Sequence, residues 1–208
     1  MKLLVLGATG GTGRELVERA LAQGHAVRAM VRDVHKLARS DERLEVVQGD
    51  IMEPASLDRA VAGGDLVIST VGVTKPVKGD TTASVGTANL IRAMEAHGVR
   101  RLVCVSVFGI GDSIHQAGRL FRWVVLPLLA NTYEDRIRQE AVVTASQLEW
   151  TIVRPTHLVD GAATGKIKVI GAKAKMYDAV RRADVATELL RIAQEPSTVR
   201  TALSLGAA

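Results

Sequence analysis

The chain has 208 residues, 47% of them hydrophobic and only 3% aromatic, with 27 basic side chains against 22 acidic ones and a formal charge of +5. That length suits one domain with a sizeable core, built from Val, Leu, Ile and Ala as buried parallel strands are. Scattered basic residues and scarce aromatics argue against a nucleic-acid partner. The single cysteine, Cys104, rules out disulfides and cysteine metal clusters.

No signal-peptide pattern precedes the first apolar segment, and the longest apolar run, Trp123 to Ala130, is too short to span a bilayer. We therefore expect a cytoplasmic protein with no membrane span and no metal.

In chain order, Leu3 to Leu6 reads as a buried strand, and a glycine-rich turn follows it. A helical pattern then places Leu16, Val17, Ala20 and Leu21 on one side. Gly7, Gly10 and Gly13 form a GxxGxxG series of the dinucleotide-binding kind. One glycine makes the tight turn, one lets the backbone approach a diphosphate, and one packs the helix closely. Gly11 and the hydroxyls of Thr9 and Thr12 add donors at the positive end of the helix.

Ala26 to Val31 is the second strand. At its end, where an NAD-binding protein places an acid on the ribose 2′-hydroxyl, this chain carries Arg32. A guanidinium suits a 2′-phosphate, so we expect NADP(H) to be preferred over NAD(H). Asp33 next to it also suits a helix N-cap.

Leu44 to Gln48 is the third strand, followed by Asp50 and Ile51 as candidate adenine contacts, with a turn role for Asp50 equally open. A helix from Pro54 to Ala62 follows. The fourth strand, Asp65 to Val71, ends in Gly72, and Val71 and Gly72 are expected to face the cofactor. After a basic loop, Lys75 to Lys78, a helix runs from Thr81 to His97. Leu102 to Val105 is the fifth strand, with Ser106 at its carboxyl end, the edge where open α/β sheets bind ligands.

From Gly109 to Asn131 the alternation breaks. Leu120, Phe121, Val124, Val125, Leu128 and Leu129 form an apolar stripe that suits a lid, a dimer face or an ordinary packed helix. Thr132 to Gln147 reads as a helix and Trp150 to Val153 as the sixth strand, with Pro155 and His157 just beyond. A short strand at Lys166 to Ile170, a helix from Asp184 to Gln194 and a strand near Arg200 to Leu205 complete the chain. Alternating strands and helices predict one α/β domain over residues 1–208, a Rossmann-like, doubly wound parallel sheet in three α/β/α layers. Residues 154–208 are expected to form a small substrate-facing portion.

With these residues in hand, the chain resembles the atypical short-chain dehydrogenase/reductase group, and within it the biliverdin and flavin reductases. The resemblance is carried by Gly7-Ala8-Thr9-Gly10-x-Thr12-Gly13, Val31-Arg32-Asp33, Gly49-Asp50, Ala96-His97-Gly98-Val99, Cys104-x-Ser106-x-Phe108 and Pro155-Thr156-His157. It implies a cofactor across the sheet edge, with Arg32 at its 2′-phosphate and its nicotinamide near Ser106 and His157, Pro155 being a further contact. The acceptor it implies is a planar conjugated molecule, a flavin, tetrapyrrole or quinone. The 111–131 segment departs from that group in being longer and more apolar.

The usual Tyr-x-x-x-Lys pair for proton transfer to or from an alcohol is missing, because Ile137 follows Tyr133 four residues on. The expectation is an NADPH-dependent reductase, monomeric or homodimeric, with Ser106 and His157 as its catalytic candidates. A non-catalytic redox sensor of the NmrA type is the alternative.

Overall fold

The computed structural model describes residues 1–37, 39–72, 79–116, 130–170 and 179–208. The expected basic loop at 75–78 and the apolar stripe at 120–129 lie outside the described residues.

The elements in chain order are β1 (Lys2–Leu6), α1 (Gly11–Ala22), β2 (Ala26–Val31), β3 (Leu44–Gln48), α2 (Pro54–Val61), β4 (Leu66–Ser69), α3 (Thr82–Ala96) and β5 (Arg101–Val105). They continue with α4 (Ala130–Ala145), β6 (Glu149–Pro155), β7 (His157–Val159), β8 (Ile167–Ile170), β9 (Ala179–Arg181), α5 (Arg182–Gln194) and β10 (Thr201–Ala207).

The main sheet has the order β3-β2-β1-β4-β5-β6-β10-β8 and is parallel except at its β8 edge, which runs antiparallel to β10. Its central strands β1, β4 and β5 are buried on both faces because helices cover both. Leu3 and Val5 point into a layer shared with Leu16, Val17, Leu189 and Leu190 of α1 and α5. Leu4 and Leu6 point the other way, against α2, α3 and α4 through Leu57, Leu90, Met94 and Val143. This is the expected three-layer, doubly wound architecture.

Several helix ends are closed by side chains from distant elements, satisfying groups a helix cannot pair internally. Arg28 of β2 donates to the carbonyls of Ala60 and Ala62 at 2.8 and 2.7 Å, capping α2. Arg101 of β5 donates to Ile192 and Ala193 at 2.7 and 3.1 Å, capping α5. At the start of α3, the Asp135 carboxylate of α4 accepts from the Ala83 and Ser84 amides at 2.8 and 3.1 Å.

Two details differ from the expectation. β4 stops at Ser69, since the Thr70 amide and hydroxyl both donate to the Leu6 carbonyl at 2.9 Å, turning the chain over the end of β1. The carboxy-terminal portion also carries a separate two-stranded parallel sheet, β7 with β9, in which His157 pairs with Ala179.

Candidate functional site

β1 and β4 are neighbours, and the chain leaves them toward opposite halves of the sheet. This switch point opens a crevice beyond the strands' carboxyl ends. The glycine loop fills one wall. Gly7 leaves β1 with φ +78°, a left-handed conformation, and a Cβ there would lie 2.8 Å from the Thr70 hydroxyl. The Gly10 amide donates back to the Gly7 carbonyl at 2.9 Å, and Gly10 then caps α1.

At Gly13 a Cβ would stand 2.8 Å from Ala8 Cα and closer still to the Gly7 carbonyl oxygen, so a bare Cα is what lets α1 start hard against the loop. The first turn of α1 holds no acidic residue, leaving its positive end uncompensated. Arg14 fixes the loop from outside, donating to the Thr9 carbonyl at 3.0 Å and the Lys36 carbonyl at 2.8 Å.

The cleft beside this loop has a volume of about 280 Å³ and brings together eight of the sequence-predicted residues: Gly7, Thr9, Gly10, Arg32, Asp50, Ile51, Val71 and Gly72. Arg32 is exposed at the end of β2, and its guanidinium has no partner among the described residues. Asp50 also fulfils its alternative turn role, accepting from the Met52 amide at 2.9 Å. Asp33 likewise caps a short turn, accepting from the His35 amide at 3.0 Å.

Met30, Thr70, Asp80 and Thr82 line the cleft as well and were not singled out in the sequence. Thr70 is signalled there only by its place near the end of the expected fourth strand, Asp80 and Thr82 only by flanking the expected helix start at Thr81.

Gly11, Thr12, Gly13, Ser106, Pro155 and His157 lie outside that lining. Thr12 is buried, while Gly11 is exposed and lies under Arg182 of α5: a Cβ at Gly11 would come within 2.6 Å of Arg182 Cδ. Arg182 is in turn held by Asp160 at 2.8 Å. The sequence offered no signal for this contact, because α1 and α5 meet only once the sheet is assembled.

The carboxyl ends of β5 and β6 carry the remaining candidates side by side, with Val105 in register with Val153. Ser106 is only 4% exposed, its amide donates to the Val153 carbonyl at 2.8 Å, and its Oγ has no hydrogen-bond partner among the described residues. A buried, unpartnered hydroxyl is costly without a ligand to meet it. Pro155 is buried in β6, opposite Leu205 of β10. His157 is exposed, and no hydrogen bond joins it to Ser106.

Tyr133 donates to the Phe108 carbonyl at 3.0 Å, and burial pushes its phenol pKa up. Three residues on, the buried Arg136 donates to the carbonyls of Val71 and Val105 at 2.9 and 3.3 Å, tying together the ends of β4 and β5. Burial drives its pKa down, opposed by Cys104 and by the carboxylates of Asp135, Glu140 and Asp80. On the far side, Arg154 forks onto Glu140 at 2.9 and 2.7 Å and pairs with Asp112, holding the 111–115 turn against α4 and β6.

A family model described as NAD(P)H-binding matches residues 7–196. An uncharacterized chloroplastic protein of Arabidopsis thaliana is 31% identical over 201 residues, covering 90% of this chain and 70% of its own. A (4-alkanoyl-5-oxo-2,5-dihydrofuran-3-yl)methyl phosphate reductase of Streptomyces griseus is 33% identical over 154 residues, or 74% of this chain, which spans under half, 46%, of that reductase. Among solved structures, ChuY of Escherichia coli O157:H7, described as an anaerobillin reductase, superposes with a TM-score of 0.85 at 27% identity, covering 100% of this chain and 97% of its own. Among the described residues, no helix is long and apolar enough to cross a membrane.

Proposed function

The chain belongs to the NAD(P)H-binding family as an atypical short-chain dehydrogenase/reductase, an oxidoreductase, and from that premise we propose that it is an NADPH-dependent reductase acting on a flat conjugated acceptor such as a flavin, a linear tetrapyrrole or a quinone. The observation that carries the proposal is the partner-free Arg32 guanidinium at the rim of the glycine-loop cleft. A planar cation with unused donors at the end of β2 is suited to a phosphate on the adenosine ribose and has no structural duty to explain it otherwise. The reductase similarity along the whole chain and the missing Tyr-x-x-x-Lys pair support the acceptor class, since reducing a conjugated acceptor needs no tyrosinate.

The residues fit the cofactor. A Cβ at Gly7 or Gly13 would intrude on the loop, the α1 amides are uncompensated, and Ser106 has a buried hydroxyl awaiting a partner. When bound, the reduced pyridine nucleotide supplies the hydride. The amides of residues 11–13 hold its diphosphate, Thr9 and Thr12 flank them, and Arg32 holds the 2′-phosphate. Asp50, Ile51, Val71 and Gly72 line the adenosine side. Ser106, beside Pro155, orients the reacting end by a hydrogen bond. His157, open to solvent, passes a proton to the reduced acceptor. Residues 154–208 work with the sheet as part of one domain, on the acceptor side. Most of the acceleration then comes from positioning.

Steady-state NADPH oxidation with FMN, quinones and biliverdin, paired with cofactor titrations of Arg32→Ala, tests the reading. We expect turnover with at least one acceptor and a loss of about 10- to 100-fold in NADPH affinity, with a much smaller loss for NADH. Equal losses for the two cofactors would remove Arg32 from the 2′-phosphate. Tight binding with no oxidation of NADPH by any acceptor would make the chain a regulator instead.

A further inference from the structure

A second cavity, of about 410 Å³, adjoins the cleft and is lined by Arg32, Gln48, Gly49, Asp50, Glu53 and Arg59. Arg59 lies in the last turn of α2, where a basic side chain ordinarily caps the final carbonyls. Here that task is already taken by Arg28, which reaches the carbonyls of Ala60 and Ala62. The Arg59 side chain is exposed, and its guanidinium has no hydrogen bond or ion pair among the described residues, although Glu53 lines the same cavity.

The charge around this cavity decides what it can hold. Asp50 and Glu53 contribute two carboxylates. Asp50 is engaged with the Met52 amide at 2.9 Å, and Glu53 stands at the N-cap of α2, where the helix dipole favours an anion. With Arg32 alone the lining would be net negative and would repel a phosphate. Arg59 brings it to neutrality and offers a second planar fork. A phosphate monoester carries roughly −1.5 to −2 charges near neutral pH and three acceptor oxygens, more than one guanidinium can match.

We propose that Arg59 is a second specificity-determining residue, which with Arg32 forms a two-armed grip on the 2′-phosphate of the cofactor. The proposal rests on the NADPH reading above and extends it to a second residue lining the same cavity, contributed by a helix that carries none of the nucleotide fingerprint.

Calorimetric titration of the full chain with NADPH, NADH, 2′,5′-ADP and 5′-AMP tests it in wild type, Arg32→Ala, Arg59→Ala, Arg59→Lys and Glu53→Gln, with Arg100→Ala as an exposed-charge control outside the cavity. Arg59→Ala is expected to weaken NADPH and 2′,5′-ADP about tenfold while NADH and 5′-AMP stay within about twofold. Arg59→Lys recovers part of the loss, Glu53→Gln tightens 2′,5′-ADP, and Arg100→Ala changes nothing selectively. If Arg59→Ala weakens all four ligands alike, or none, while Arg32→Ala remains selective for the 2′-phosphate, the role of Arg59 falls and the NADPH reading stands. If wild type does not prefer NADPH to NADH, or Arg32→Ala is unselective as well, both fall together.

Discussion

Replacing Gly13 with alanine tests whether α1 must start hard against the glycine loop. The added methyl would sit 2.8 Å from Ala8 Cα, where ordinary contact begins at 3.4 Å, and nearer still to the Gly7 carbonyl oxygen. The start of α1 must therefore retreat by at least 0.6 Å, or the loop must give way by as much. Both neighbours are backbone, so no side chain can rotate aside to absorb the overlap. Overpacking of this kind costs about 1–3 kcal/mol, which for a chain of this size lowers Tm by about 2–12 °C.

The same retreat moves the amides that would hold the diphosphate. Losing one charge-assisted hydrogen bond to the diphosphate, worth about 1.5–3 kcal/mol, should weaken both NADPH and NADH by about 10- to 100-fold in Gly13→Ala. Calorimetry with each cofactor and differential scanning calorimetry of the apo chain read out the two effects. Gly10→Ala serves as the milder comparison, since its methyl would meet only the Gly7 carbonyl, at 3.3 Å. Wild-type affinity and an unchanged Tm in Gly13→Ala would refute the packing argument, and a loss confined to NADPH would refute the assignment of this loop to the diphosphate.

Ser106→Ala should leave apo stability unchanged or raise it by up to about 1 kcal/mol, because it removes a buried hydroxyl without a partner, while turnover falls roughly 5- to 10-fold. Undiminished turnover would dismiss Ser106. The Asp184 carboxylate, buried at the start of α5, accepts from the Thr164 and Gly165 amides at 2.9 and 2.8 Å and from the Thr164 hydroxyl at 2.8 Å. Burial works to raise its pKa, but these hydrogen bonds together outweigh burial and hold it below 3.8. Its stabilisation is therefore complete above about pH 4 and is lost as pH falls through the lower, folded-state pKa. Urea unfolding of Asp184→Asn should show a deficit of about 1.5–3 kcal/mol at pH 7 that narrows below pH 4, and a pH-independent deficit would contradict this. Cys104, buried and with its thiol pushed up to about 12, should resist a thiol reagent at pH 8 in the native chain and react on unfolding, which absorbance at the reagent's release band would follow.

The local pattern determined the amino-terminal unit. A both-faces-apolar strand, a turn needing glycine at Gly7 and a helix with one apolar side are set by interactions between residues a few positions apart, so their order could be read directly. The same holds for Arg32, which the count from the glycine loop places at the end of β2, and for Ser106, which the strand-helix alternation places at the carboxyl edge. The boundary of β4 was less legible because Thr70 is drawn away by the Leu6 carbonyl, a partner 64 positions distant.

Tertiary structure alone decided the rest. Arg182 packs beside Gly11, Asp135 caps α3, Arg59 and Arg32 line one cavity, and β8 runs antiparallel at the sheet edge. Each depends on which strand lies beside which, and that order is chosen by burial summed over the whole sheet. No short stretch of sequence carries that information, because a side chain's hydrogen-bond partner is fixed by where the sheet brings it and not by its own neighbours in the chain.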